Sequence, residues 1–178
     1  ALACCHLAAG SSNVNARIGE INELINKSFT GKKEMKFKEH DIQFIFGDLN
    51  FRIDLDINTC LQMIESGNIS SLAIYDQLNK AKTVSTSLID LEEGPLNFNP
   101  TYKYVVGTSE YDMKKKRVPS WCDRILFKKN KNLKVLEYGR VEYTHSDHKP
   151  IYGIYKITVS KIDEEKKKAI INELKELT

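Results

Sequence analysis

A mixed α/β fold with two packed sheets is what this chain of 178 residues predicts, and three observations carry that reading. The apolar periodicity runs strand, helix, strand, helix, helix and then a series of strands, an order that favours two packed sheets over one parallel nucleotide-binding sheet. No G-x-G-x-x-G or Walker-type loop occurs, which counts against kinase and nucleotide-cofactor chemistry. With 41% hydrophobic and 29% charged residues, the composition is that of one globular domain long enough to bury a core.

The elements follow in order. Ala1 to Gly10 is apolar apart from His6 and reads as a buried strand entered midway. It lacks the basic start of a signal peptide and an initiating Met, so a piece of something longer is expected. Ser11, Ser12 and Asn13 offer capping side chains. Val14, Ile18, Ile21, Ile25 and Phe29 then recur at helical spacing, predicting a helix ended by Gly31, with a solvated Lys- and Glu-rich loop to His40. Ile42 to Phe46 is short, apolar and β-rich, suiting a core strand that delivers Asp48 and Asn50 to its C-terminal edge. Leu55 to Glu65 predicts a helix stopped by Gly67, and Ser71 to Ala81 predicts another.

Between Val84 and Val118 the periodicity fades, and Gly94-Pro95, Asn99-Pro100 and Gly107 mark turns. A loop that long in a compact domain is more often functional than idle. Cys122 to Lys128, Leu133 to Tyr138 and Ile151 to Val159 read as strands. Asp163 to Leu177 predicts a helix whose acids precede its lysines, as the helix dipole prefers. Its narrow seam of Ile170, Leu174 and Leu177 suits a connector towards a further domain.

The net charge of +3 is too small to argue for nucleic acid. Its distribution says more, because Lys114 to Arg117 gathers four cations directly before a motif described below. Cys4, Cys5, Cys60 and Cys122 form no C-x-x-C pair or disulfide framework, and read as reduced thiols in a cytosolic compartment. No apolar stretch approaches the ~20 residues needed to cross a bilayer.

Three runs carry the chemistry: Phe46 to Arg52, Pro119 to Leu126 and Ser146 to Pro150. Each sets an Asp beside an Asn, Arg or His where an apolar strand meets a loop. A carboxylate there must be hydrogen-bonded, paired or metal-bound. Hydrolysing a phosphate monoester needs an aimed water, neutralised phosphoryl oxygens and help for the leaving group. Asp48 can accept the water's proton and Asn50 can hold a phosphate oxygen. His148 and His6 can donate to phosphoryl oxygens, and Asp123 can fix an imidazole's tautomer. Asp147 remains for a hard cation such as Mg²⁺. Singly, each has a plainer reading: an Asp-x-Asn turn, a surface Asp-His pair, a core histidine at His6, a structural ion pair at Arg52. Nothing raises His40 or His145 above such readings. It is the joint occurrence that points to phosphate chemistry.

Gly47 to Ile53, Pro119 to Leu126 and Ser146 to Pro150 resemble the signature motifs of the inositol polyphosphate 5-phosphatases. His6 to Gly10 resembles a fourth motif and Pro100 to Tyr104 a fifth, all in the family's order. Asp76-Gln-Leu78 and the stretch from Lys156 to Leu177 look most like the type II branch. The resemblance implies a deoxyribonuclease I-like fold of the endonuclease/exonuclease/phosphatase kind, two face-to-face sheets with helices outside. It assigns residues 1–160 to a partial catalytic domain and 161–178 to the connector.

It further implies Mg²⁺-dependent removal of the 5-phosphate from phosphoinositides or soluble inositol polyphosphates, in a cytoplasmic protein that visits membrane surfaces peripherally and binds no nucleic acid. Asp48 resembles the family's water-activating carboxylate, Asn50 its phosphate-orienting amide, His148 and Asp123 its phosphate-binding pair, and His6 a second histidine. Tyr102, Lys103, Lys116 and Arg117 resemble the cluster that grips the neighbouring 4-phosphate. The family's early strands, with an Asn and the principal Mg²⁺-binding Glu, have no match; Glu20 and Glu23 fall on the helix after His6 and cannot stand in. A non-catalytic fragment that binds anionic headgroups or a protein partner is therefore the alternative, with a nuclease of the same fold behind it.

Overall fold

A computed structural model describes residues 1–29, 34–161 and 163–176. Strand β1 (Leu2–His6) leads into helix α1 (Val14–Asn26), followed by the short pair β2 (Ser28–Phe29) and β3 (Met35–Lys36). Strand β4 (Phe44–Asp48) precedes three short helices, α2 (Ile57–Glu65), α3 (Ile69–Leu72) and α4 (Gln77–Val84). Strands β5 (Leu91–Glu93), β6 (Asp123–Lys128), β7 (Leu133–Arg140) and β8 (Ile151–Ile157) come next, and α5 (Glu164–Glu176) closes the chain.

The main sheet has the order β1-β4-β6-β5, with β1 parallel to β4 and the other pairs antiparallel. The β7–β8 hairpin is a second, separate sheet. Aromatic rings couple the two: Tyr155 of β8 meets Phe44 of β4 and Phe127 of β6 edge-on, with centroids 4.9 and 5.6 Å apart. Offset edge contacts of this kind hold two layers together without requiring shared backbone bonds. On the other face Ile45, Phe51 and Leu126 pack with Ile21 of α1 and Leu78 of α4. Trp121, Ile53, Cys60 and Leu72 form a second cluster under α2. All four cysteines are free thiols.

The architecture agrees with the expectation from sequence, while several boundaries move. Helix α1 stops at Asn26, where Lys27 turns extended, so Phe29 enters β2; the expected terminator Gly31 lies outside the described residues. Asn13 does not cap the helix with its side chain and donates instead to the Ala9 carbonyl at 2.6 Å. The expected solvated loop contains Phe37 in a 3-10 turn, fully buried. The expected helix from Ser71 to Ala81 breaks at Asp76, whose side chain caps α4 by accepting the Asn79 N–H. Strand β5 was hidden in the aperiodic stretch because three residues are too few to show alternation. Helix α5 is exposed at Ile170 and Leu174; Leu177 of its expected seam lies outside the described residues.

Asp76 matters beyond its cap. Arg124 of β6, wholly buried, donates to both of its carboxylate oxygens at 2.9 and 3.0 Å, and also to Glu93 of β5. One guanidinium thus ties the sheet edge to the start of α4. Burial pushes the Asp76 carboxyl up, opposed by Arg124, whose own affinity for its proton is raised well above normal by the two carboxylates, against the opposing effect of its burial. Removing the arginine strands two carboxylates in the interior. Arg124→Met should therefore cost about 3–5 kcal/mol of stability in urea denaturation, and a loss below about 1 kcal/mol would contradict the pairing.

Candidate active site

The strand register brings the chemistry-bearing residues together. His6 ends β1, Asp48 ends β4 and Asp123 opens β6, and the Cα register pairs His6 with Asp48 and Asp48 with Asp123. Cross-strand partners share a face, so three functional side chains line one end of the sheet. Gly47 makes the close approach feasible. It sits at φ +122°, and a Cβ there would lie 2.2 Å from the Cys5 carbonyl oxygen.

Immediately after β4 the chain turns. Asn50 adopts φ +57°, and its N–H donates to Asp48 Oδ1 at 3.0 Å. Its buried side chain donates from Nδ2 to the Leu7 carbonyl at 3.0 Å and accepts at Oδ1 from Arg52 Nη2 at 2.5 Å. His148 arrives from the β7–β8 connection, its N–H donating to Ser146 Oγ at 3.1 Å. Its Nδ1 lies 2.9 Å from Asp123 Oδ2, and its Nε2 lies 4.0 Å from Asp48 Oδ2. His6 Nε2 stands 3.5 Å from the same Asp48 oxygen and is open to solvent. Thus His6, Asp48, Asn50, Asp123 and His148 gather at one place.

Electrostatics divide the roles. Burial, then the neighbouring Asp123 charge, raises the Asp48 carboxyl above its ordinary value of 3.8, with His148 pulling the other way. Burial would lower the His148 imidazole, but the hydrogen bond and charge of Asp123, with the charge of Asp48, outweigh it and hold the ring above 6.5. A carboxyl whose protonated form is favoured by burial therefore stands beside an imidazole whose charged form is favoured by Asp123.

The second cluster centres on Tyr102. Its ring packs tilted against His148 with centroids 4.4 Å apart, and its hydroxyl accepts from Arg117 Nη1. Arg52 and Lys103 lie over the same ring at 4.7 and 5.7 Å. Nearby opens a cavity of about 350 Å³ lined by Gly10, Ser11, Arg52, Lys116 and Arg117 among others. Tyr102 thus adjoins the first group through His148 and carries Arg117 and Lys103 beside it, while Lys116 and Arg117 line the cavity.

Asp147 is placed differently from its expected metal role. Its Oδ2 accepts from Lys103 Nζ at 2.6 Å, and that bond holds the carboxyl below its usual range. It belongs with the cations. Among the described residues no three His, Cys, Asp or Glu side chains are grouped to hold a metal ion, so the residues present do not complete a site for the Mg²⁺ expected from the motifs.

Sequence reasoning missed three supports. Thr101, wholly buried, donates to Asp123 Oδ2 at 2.7 Å, so Asp123 is fixed from both sides; its place beside Tyr102 in the Pro100 to Tyr104 run was the available signal. Gln77 accepts from the Arg52 N–H at 3.0 Å and from Arg17 Nη2 at 2.8 Å. Arg17 donates to the Ala8 and Gly10 carbonyls and so holds the loop after His6. Nothing in the sequence marked Arg17, which sits among the apolar positions of α1. Arg52, for which a structural ion pair was the plainer reading, engages Asn50 and Tyr102.

Comparison with known proteins agrees with this geometry. Residues 1–154 match the profile of the family described as Endonuclease/Exonuclease/phosphatase family 2. The inositol-1,4,5-trisphosphate 5-phosphatase 1 of Schizosaccharomyces pombe is 38% identical over 170 residues, 95% of this chain and 16% of that protein. The solved inositol polyphosphate 5-phosphatase domain of SPsynaptojanin, in complex with inositol (1,4)-bisphosphate and calcium ion, superposes with a TM-score of 0.88 at 37% identity, covering 96% of this chain and 50% of that one. A Cimex nitrophorin in its ferrous NO complex matches at a TM-score of 0.63 and 31% identity, covering 68% of this chain and 43% of that one.

The chain belongs to the endonuclease/exonuclease/phosphatase family and, within it, to the inositol polyphosphate 5-phosphatases. It spans half the length of the solved domain and about a sixth of the curated relative.

The dyad is testable without turnover. In NMR titration the His148 ring should change charge above 6.5, and Asp123→Asn should move that midpoint down. A midpoint unchanged by Asp123→Asn would remove Asp123 as its partner.

Proposed function

We propose that this chain carries the site for hydrolysing the 5-phosphate of phosphoinositides, such as phosphatidylinositol 4,5-bisphosphate, or of soluble inositol polyphosphates. The observation that carries the reading is the meeting of Asp48, Asp123, His148 and His6 beside a cation cluster built on Tyr102. A substrate with two neighbouring phosphates needs both halves, one for the reacting group and one for the retained group.

The roles follow from the contacts. Asp48, raised by burial, draws the proton from an attacking water. Asn50 offers an amide N–H to a phosphoryl oxygen, its carbonyl being held by Arg52. His148, kept charged by Asp123, donates to the phosphoryl group, and the exposed His6 reaches it from the other side of Asp48. Lys103, Lys116, Arg117 and the Tyr102 hydroxyl grip the adjacent 4-phosphate. A divalent ion such as Mg²⁺ would add charge neutralisation at the phosphoryl oxygens. No step here is routed through one, because the described residues do not group a full set of ligands. Residues 1–160 form the catalytic part in this reading, and 161–178 lead towards a further domain. The protein works in the cytoplasm with peripheral membrane contact and takes no nucleic acid.

A second reading has one observation in its favour. Without a three-ligand metal cluster among the described residues, the chain could grip anionic headgroups and release no phosphate. Phosphate release from phosphatidylinositol 4,5-bisphosphate, with Mg²⁺ and with chelator, separates the two. Release lost on chelation supports hydrolysis; headgroup binding with no release supports the second reading.

Where release occurs, Asp48→Asn should slow it by roughly 10²- to 10⁴-fold, the range of a lost general base. Lys103→Ala should cost about tenfold or more on substrates with a 4-phosphate and little on those without it, as loss of a charged hydrogen bond requires. Equal loss on both would contradict its assignment. The pH profile should rise through an acid limb above 3.8, as Asp48 ionises, and fall through an alkaline limb above 6.5, as His148 loses its proton. An alkaline limb that survives in His148→Asn would exclude His148 as its source.

A further inference from the structure

Arg52 joins the two halves of the site. Its backbone is fixed, since its N–H donates to Gln77 Oε1 at 3.0 Å, and Gln77 is itself held by Asp54 Oδ1 at 2.7 Å and the Ser11 carbonyl at 3.0 Å. Its side chain, half-buried, reaches in two directions. Nε donates to the Asn50 carbonyl at 3.2 Å and Nη2 to Asn50 Oδ1 at 2.5 Å. The guanidinium plane meanwhile lies 4.7 Å from the Tyr102 ring centre and lines the cavity shared with Lys116 and Arg117.

Two consequences follow from the donor count. A guanidinium has five N–H groups and no acceptor, so only the oxygen of the Asn50 amide can face it. Arg52 thereby forbids the flipped amide and leaves Asn50 as a donor towards the reacting phosphate; one of its N–H groups is spent on the Leu7 carbonyl. Asn50 takes two of the five N–H groups, and Arg52 lines the cavity, so the remaining N–H groups are available to an anion there. An anion that takes them immobilises the fork that holds Asn50.

We propose that Arg52 is a positioning residue through which a retained phosphate, seated in the Arg52/Lys116/Arg117 cavity, orders the Asn50 amide at the reacting phosphate. This rests on the proposed function and deepens it: the neighbouring phosphate acts on the chemistry as well as on affinity. By linkage the coupling is reciprocal, so what fixes Asn50 also tightens the cavity's hold on its anion.

The test reads Asn50 directly and needs no turnover. In the ¹⁵N-labelled full chain, the Asn50 side-chain amide pair is identified by its loss in Asn50→Asp. It is then followed during titration with inositol 1,4-bisphosphate and with inositol 1-phosphate, while calorimetry measures affinity. In the unsubstituted chain the bisphosphate should move the Asn50 pair far more than the monophosphate does. Arg52→Lys keeps a cation at the cavity but lacks the planar fork. It should hold bisphosphate affinity within about threefold while losing at least about half of the Asn50 response. Arg52→Gln, with neither charge nor fork, should lose both.

A full Asn50 response in Arg52→Lys, or bisphosphate binding with no Asn50 response in the unsubstituted chain, would overturn the proposal. A chain that binds the bisphosphate no better than unphosphorylated inositol would overturn the site reading beneath it, a distinguishable failure.

Discussion

The structure depends on one constraint, the register that aligns the site ends of β1, β4 and β6. Because His6, Asp48 and Asp123 are Cα partners across adjacent strands, a slip by one residue would turn each to the opposite face and dissolve the site. Gly47 holds that register, since any side chain at its φ of +122° would collide with the Cys5 backbone. The buried Arg124–Asp76–Glu93 group secures the far edge of the same sheet to the start of α4. The meeting of His6, Asp48 and Asp123 is therefore inherited from strand pairing, while His148 is brought to it by the β7–β8 connection.

That arrangement carries an inherent conflict. Two carboxylates, Asp48 and Asp123, face each other on neighbouring strands, a repulsive pairing in a partly buried setting. His148 answers it by binding Asp123 through Nδ1 and facing Asp48 through Nε2. Thr101 adds a second donor to Asp123. The two acids differ in surroundings: Asp123 accepts from His148 and Thr101, while Asp48 keeps an oxygen near both histidines and is raised by burial. Tyr102, packed against His148 and bonded to Arg117, carries the cationic cluster up to the same imidazole.

Much of this was legible in sequence, for identifiable reasons. Asp48 and Asp123 stand at ends of apolar strands, where a polar side chain needs a purpose, and the structure brings Asn50 and His148 beside them as the joint occurrence of the motifs led one to expect. The starts of β7 and β8 were placed to the residue, while β7 runs on to Arg140 and β8 stops at Ile157. What escaped was set by tertiary contact. β5 has three residues and no periodicity, Phe37 was hidden among lysines, and the break at Asp76 follows from a buried arginine 48 residues away. The ion pair of Asp147 was not legible because the sequence does not reveal that Lys103 folds back onto it. Arg17 and Arg52 act through hydrogen bonds to distant backbone and amides, which no local pattern encodes.

The fold alone would not have sufficed, since a nitrophorin in a ferrous NO complex shares it at a TM-score of 0.63. The claim rests on the site, and a crystal structure of this chain with inositol 1,4-bisphosphate tests it most directly. The account predicts one phosphate in the cavity beside Tyr102 and Arg117, with the vacant 5-position of the inositol ring directed at Asp48 and His148. A bisphosphate bound elsewhere, or bound with that position turned away from Asp48, would contradict it.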